Sequence, residues 1–315
     1  MGFDVAKLRQ AVERHGRVIR VVIAALRGSS PREVGAAMLI WEDGQSGTIG
    51  GGALEYEAAG AARDQQVATR LTRHALGPDL GQCCGGAVTL LSEVYDMAAV
   101  AALDGDDGDV VARPVDGVGP MPLSVGRLLA QARGQGLMPE VQILDGWMIE
   151  RVHVPDRQVW IWGAGHVGRA LVQILAPLPD VAITWVDSAP ERFPNQVEEG
   201  VTVVPAARPA DLVRHAPQNG EHLVATYSHT LDLELCDQML RHGFAFAGLI
   251  GSATKWARFR NRLAALGHGP EQIARITCPI GDPALGKHPQ MIAVGVAAQL
   301  LAPPRQVVNR KDQRA

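Results

Sequence analysis

Val159-Trp160-Ile161-Trp162-Gly163-Ala164-Gly165-His166-Val167-Gly168 is the stretch that decides the fold. Four apolar residues, all β-branched or aromatic, read as a short buried strand. A Gly-x-Gly-x-x-Gly follows at once, and Arg169 to Leu175 has helical spacing. In a strand–turn–helix setting each glycine has its own reason. Gly163 permits the tight turn, Gly165 lets the backbone approach a pyrophosphate, and Gly168 lets helix and strand pack closely. His166 lies at the start of that helix, whose free N–H groups and dipole favour a phosphate. Asp187 closes the next apolar run, Ala182 to Val186, where an acid can accept from a ribose 2′-hydroxyl. These features predict a Rossmann domain. They leave open whether its site takes NAD(P), another phosphorylated ligand or nothing.

Working outward, apolar runs at 201–204, 222–226 and 244–250 alternate with helical segments. That alternation predicts a doubly wound parallel sheet, with ligands outside the carboxyl ends of its strands. Three segments should lie at that edge. His229 and Asp232 follow the strand at 222–226, and Asp232 reads equally as a helix N-cap. Ser252 and Lys255 begin a basic helix on which Arg258 and Arg262 share a face. This helix start is a candidate anion site, with a solvated basic face as the alternative. Cys278 opens a Pro-Ile-Gly turn after a last strand, as a ligand or as a small buried side chain.

Before Pro155-Asp156 the pattern differs. A helix is predicted over 4–15, a strand over 18–26, and a hairpin of 38–41 with 46–49 about an Asp-Gly turn. A helix is expected over 53–74, a strand over 87–95, a surface loop over 104–122, and strands at 141–144 and 147–154. The expected architecture is α/β: a smaller α+β domain (1–156), then a C-terminal Rossmann-like doubly wound parallel sheet (157–315). Three loops of the first domain are candidates to meet. They are Ser29-Ser30-Pro31-Arg32, Gly50-Gly51-Gly52 with Glu55, and Cys83-Cys84-Gly85-Gly86. A triple glycine before a helix is a natural anion nest, and Arg32 suits a phosphate or carboxylate. The adjacent cysteines suit a single thiolate ligand or sulfur acceptor, or two buried small residues in a turn.

Composition narrows the function classes. With 315 residues, 47% hydrophobic and 20% charged, the chain is neither disordered nor fibrous. A formal net charge of −3 argues against a general nucleic-acid binder. Four cysteines are too few for a disulfide scaffold in this length. No apolar stretch approaches the roughly 18–20 residues that span a bilayer. A cytoplasmic protein with reduced thiols, without membrane or nucleic-acid partners, is the expectation. The 35 glycines are more than the roughly 7% of an average chain would supply, and many lie in loops between strand and helix.

Taken together, these segments resemble the XdhC/CoxI family of accessory proteins for molybdenum hydroxylases. Ser29 to Arg32 with Gly35, Gly50 to Gly52 with Leu54-Glu55, and Cys84-Gly85-Gly86 look like the family's N-terminal signature. Gly163 to Gly168, His229 with Asp232, Gly248 to Arg262, and Cys278 to Gly281 look like its C-terminal domain. The resemblance implies a chaperone rather than a turnover enzyme. Such a protein binds the molybdenum cofactor (Mo-molybdopterin), protects it and promotes its sulfuration. It then inserts the cofactor into apo-xanthine dehydrogenase, in purine catabolism, with a cysteine desulfurase as sulfur donor. A molybdenum insertase and a second copy in a dimer are further implied partners. The glycine nests and Arg32 would serve the phosphate, and Cys84 or Cys83 the metal or its sulfur. Two other readings stand beside it. One is an NAD(P)-dependent oxidoreductase with His229 as acid or base. The other is a structural subunit of the dehydrogenase.

Overall fold

The computed structural model describes residues 2–77, 85–103, 109–115, 119–198 and 200–302. The chain divides into two compact units, 1–154 and 155–315.

The second unit is a three-layer α/β sandwich. Its sheet comprises β9 (Arg157–Trp162), β10 (Val181–Asp187), β11 (Val201–Pro205), β12 (Glu221–Val224), β13 (Phe246–Leu249) and β14 (Ile276–Thr277), numbered after the eight strands of the first unit. The spatial order is β11-β10-β9-β12-β13-β14, and every pairing is parallel. The order reverses between β9 and β12, which places the ligand crevice of such a sheet at their carboxyl ends. Strand alternation fills both layers. Val159 and Ile161 of β9 face one core with Ile183, Trp185 and Leu223. Trp162 faces the other with Val186, Val224 and Leu249.

In the first unit, α1 (Val5–His15) precedes a five-stranded antiparallel sheet. That sheet contains β1 (Val18–Arg27), β2 (Ala37–Ile40), β3 (Gln45–Gly47), β4 (Thr69–Ala75) and β5 (Ala87–Tyr95), in the order β3-β2-β1-β5-β4. Helix α2 (Gly52–Arg63) packs Leu54, Ala58, Ala59 and Ala62 against Ile19, Val21 and Ile23 of β1. After α3 (Met97–Leu103), β6 (Val110–Pro114), β7 (Gln142–Leu144) and β8 (Trp147–Arg151) form a second antiparallel sheet, with α4 (Leu123–Gln135) between β6 and β7.

Two expectations are corrected. The helix expected over 53–74 ends at Arg63, and Thr69–Ala75 is an edge strand paired with β5. The free edge of β5 outweighs the helix propensity of Arg and Ala here, while Thr69, Leu71 and Thr72 suit a strand and Arg70 and Arg73 guard its edge. The loop expected over 104–122 contains β6, because Val110 and Val111 are buried against β8 and its neighbours. Local Asp and Gly content did not reveal that distant pairing.

A buried ion network joins the two sheets of the first unit. Arg20 on β1 grips Glu150 on β8 with both Nη atoms, at 2.9 and 2.7 Å. Arg113 on β6 holds Glu93 on β5 at 2.5 and 2.6 Å and Glu150 at 2.5 Å. Burial would raise the Glu150 carboxyl, but the two guanidinium groups outweigh it and hold it down to about 2. Phe3 lies with both guanidinium groups against its ring, at 4.1 and 4.8 Å.

In the second unit, His222 on β12 is fully buried, and its Nδ1 accepts from the Trp162 indole at 3.2 Å. Burial, with a smaller push from His242, lowers its pKa from 6.5 to about 4. Between those values the unfolded chain holds the extra proton, so the fold is favoured above about pH 6.5 and loses stability as pH falls toward 4. His222→Asn keeps an acceptor for the indole but cannot titrate. Thermal unfolding should show the wild-type midpoint dropping more steeply than the variant's across that range; parallel curves would contradict the assignment.

Candidate functional site

Gly163 has φ +112, and a Cβ there would lie 2.4 Å from the Ala225 carbonyl oxygen at the end of β12. A Cβ on Gly168 would lie 1.9 Å from the Gly163 oxygen. The protein's own packing therefore requires both glycines. Gly165 is different: a Cβ there would meet nothing within 4 Å. No described atom fills the space in front of it, at the start of α5 (His166–Leu175), where His166 is exposed.

The carboxylate of Asp187 fixes this loop. Its Oδ2 accepts from the Ala164 N–H at 2.5 Å, and its Oδ1 accepts from the Ser188 N–H at 2.6 Å and Ser188 Oγ at 3.0 Å. The side chain is only 4% exposed. Trp185 Nε1 donates to the Gly163 carbonyl at 3.0 Å and braces the same turn. The acid read from the sequence as a ribose acceptor is thus turned inward as the loop's clamp. What faces outward beside it is Arg192, whose Nε is 3.4 Å from Asp187.

Across the crevice, Ser228 caps α6 (His229–His242), accepting from the Leu231 N–H at 3.3 Å. Asp232 is therefore not the cap. It is buried, accepts from Thr226 Oγ1 at 2.7 Å, and pairs with Lys255 Nζ at 2.6 Å. Lys255 also donates to the Ile250 carbonyl at 2.8 Å and lies 5.3 Å from the Phe259 ring centroid. Ser252 caps α7 (Ala253–Ala265), accepting from the Lys255 N–H at 3.2 Å. His229 is exposed and stands edge-on to Phe259 with ring centroids 6.5 Å apart; Arg258 is exposed on α7. Cys278 Sγ lies 3.3 Å from where a Cβ on Gly251 would sit. Burial pushes its thiol up to about 11, with Lys255 pulling down and Asp232 pushing up. The Lys255 cation read as an anion ligand is thus already matched by Asp232. Asp232 was read with a cap as its alternative, and Arg192 and Tyr227 were missed. The signal for Arg192 and Tyr227 was position: each follows the carboxyl end of a strand next to β9, β10 and β12 respectively.

In the first unit Gly50 and Gly86 both lie against the segment Arg27 to Arg32. A Cβ on Gly50 would lie 2.9 Å from Pro31 Cβ and 3.6 Å from Arg32 Cγ. A Cβ on Gly86 would lie 2.1 Å from the Ser29 carbonyl oxygen. Ser30 Oγ is buried with no hydrogen-bond partner among the described residues. Around Gly51 and Gly85 no atom of the described residues would meet a Cβ. Cys83 and Cys84 lie outside the described residues. The glycine nest itself holds Glu55. Its Oε2 accepts from the Ile49 and Gly51 N–H groups at 3.1 and 3.0 Å and from Thr48 Oγ1 at 2.5 Å, while Oε1 accepts from Gln45 at 3.1 Å. Partial burial raises its pKa, but these donors outweigh that and hold it below the usual range. Arg32 pairs with Glu33 at 3.3 Å.

Fold and loops define a two-unit α/β protein: an antiparallel unit with clustered glycine loops, and a Rossmann unit with a clamped Gly-x-Gly-x-x-Gly. Residues 159–300 match the XdhC Rossmann domain, and residues 11–74 match the XdhC and CoxI family. The chain belongs to the XdhC/CoxI family. It is 26% identical over 288 residues to the uncharacterized protein YqeB of Escherichia coli (strain K12), a match covering 87% of this chain and 41% of YqeB. The chain thus spans about two fifths of the length of that curated relative. The solved structure of a xanthine dehydrogenase from Bacillus halodurans superposes with TM-score 0.63 at 20% identity, covering 95% of each chain, and shares the fold. No helix of the described residues is long and apolar enough to cross a membrane.

The three glycines of the loop predict different variants. Gly168→Ala should lower the thermal midpoint sharply or prevent folding, because its Cβ has no room. Gly165→Ala should unfold within a few degrees of wild type. Circular dichroism melts of both variants test this; equal losses would overturn the distinction.

Proposed function

We propose that this protein is an accessory factor in the maturation of xanthine dehydrogenase-type molybdenum hydroxylases, and not itself a turnover enzyme. It binds the molybdenum cofactor, protects it, promotes its sulfuration and inserts it into the apo-enzyme. The observation that carries this reading is family membership, resting on matches over 11–74 and 159–300. Apo-xanthine dehydrogenase is the proposed recipient, a cysteine desulfurase the sulfur source, and a molybdenum insertase the upstream donor. The setting is cytoplasmic, with a homodimer as the working form.

The loop cluster of the first unit fits the cofactor in part. Among the described residues, Ser30 Oγ is a buried polar atom without a partner and nothing crowds the backbone at Gly51 and Gly85. Arg32 stands at the same cluster and would hold the phosphate, with Ser29 and Ser30 beside it. Glu55 does not contact the phosphate in this arrangement: it keeps the Ile49 and Gly51 N–H groups and so sets the shape of the loop. Cys84 would supply the soft ligand. When bound, the cofactor supplies a dithiolene-held molybdenum and a terminal phosphate. The chain's part is to grip the phosphate and shield the metal from water.

The test is to mix the purified protein with molybdenum cofactor, remove the unbound fraction, and measure retained molybdenum and pterin. Stoichiometric retention and transfer of activity to apo-xanthine dehydrogenase are expected; no retention would overturn the reading. Arg32→Gln should weaken retention about tenfold or more, as loss of one charge-assisted contact predicts. Cys84→Ala should lose molybdenum while Cys83→Ala keeps it. Full retention by both would remove the thiolate from the account without touching the phosphate grip.

A further inference from the structure

The Rossmann crevice presents a cation where the sequence motif suggests an acid. Asp187 stands at the end of β10, the position from which an acid ordinarily meets a ribose 2′-hydroxyl. Here both of its oxygens are engaged by Ala164 and Ser188, and the side chain is 4% exposed. The group beside it that reaches solvent is the Arg192 side chain, 37% exposed. Arg192 Nε is buried and has no hydrogen-bond acceptor among the described residues, since its approach to Asp187 at 3.4 Å is an ion pair only. A ligand would therefore meet the exposed part of the side chain rather than this buried donor.

Arg192 is also held in place. Its guanidinium lies 4.7 Å from the ring centroid of Tyr227, which is 70% exposed in the loop after β12. Its own carbonyl accepts from Arg169 Nη2 of α5 at 2.9 Å. The pair Arg192–Tyr227 therefore spans from the loop after β10 to the loop after β12, across the carboxyl end of β9 and the open space at Gly165. An exposed aromatic ring, an oriented guanidinium and an unfilled glycine turn make three different surfaces. They suit a planar base, a phosphomonoester and a diphosphate respectively.

We propose that this crevice binds an adenine nucleotide bearing a 2′-phosphate, of the NADP type, and that Arg192 is the residue that selects the phosphorylated form. The inward-turned Asp187 neither accepts from a 2′-hydroxyl nor repels the phosphate, because Arg192 stands between them. This proposal rests on second-unit residues only, so it and the cofactor grip proposed for the first unit are tested independently. Molybdopterin also ends in a phosphomonoester, and competition distinguishes the two sources.

The probes are 2′,5′-ADP and 5′-AMP, which differ by that one phosphate, followed by NADPH and NADH, all measured by calorimetry on the full chain. Wild type should prefer 2′,5′-ADP over 5′-AMP by about ten- to a hundredfold, the range of a charge-assisted contact. Arg192→Gln should abolish the preference while leaving 5′-AMP binding unchanged, and Arg192→Lys should restore part of it. Equal binding of the two probes by wild type, or a preference that survives Arg192→Gln, overturns the proposal. So does failure of wild type to bind either probe. Displacement of bound NADPH by molybdenum cofactor would instead assign the phosphomonoester site to the pterin and overturn the dinucleotide. A normal melting midpoint for Arg192→Gln keeps misfolding out of the comparison.

Discussion

The hydrogen bond from the Ala164 N–H to the Asp187 carboxylate holds the second unit's ligand edge in shape. It ties the turn after β9 to the end of β10 at 2.5 Å, inside the protein. With the loop pinned from behind, Gly163 keeps its left-handed backbone under the Ala225 carbonyl and α5 begins flush against the turn. The first N–H groups of α5 have no partner within the helix. A buried carboxylate is costly unless its lone pairs are taken. Asp187 meets that condition with three donors from its own neighbourhood, and Arg192 balances its charge.

The first unit uses a carboxylate in the opposite sense. Glu55 sits one turn inside α2 and reaches back to the Ile49 and Gly51 N–H groups. Here the acid is the anion in the nest. A run of glycines before a helix is thus not by itself a vacant phosphate cradle, because an acid three residues into the helix can occupy it first. What remains for a ligand at this end is side-chain chemistry, Arg32 and Ser30, rather than the backbone donors.

The parallel sheet of the Rossmann unit was legible because each strand there is a short apolar run between helices, and both faces of the sheet are buried. The first unit was less legible where strands are half exposed. Residues 69–75 alternate Thr, Arg and Leu on an edge, and their identity as a strand depends on β5, which begins only at Ala87. β6 is specified by β8, across the intervening helix α4. For the site, residue positions were readable but side-chain partners were not. Lys255 in the first turn of a basic helix looks like an anion ligand, yet Asp232 from another helix takes its charge. Asp187 looks like a ribose acceptor, yet its partners Ala164 and Ser188 are backbone neighbours that every such turn has.

The charge arrangement along the sheet edge follows from these pairings. Near β13 and β14, Lys255 and Asp232 form a buried, nearly neutral pair, and Cys278 beside them stays a thiol because burial outweighs the nearby ammonium. A neutral thiol is a poor nucleophile and a poor metal ligand. That side of the edge therefore locks α6 to α7: the Lys255 ammonium spans the gap to Asp232 while Ile250 anchors it to the end of β13. Near β10 and β12 the balance differs, since the Asp187 carboxylate is consumed by its own loop while the Arg192 guanidinium remains partly exposed and oriented on Tyr227. The Asp187–Arg192 pair is near neutral as a whole, so what it offers a small anion is the placement of guanidinium donors rather than a net positive field. A chain of net charge −3 can recognise a small anion through such placed donors without a broad basic face.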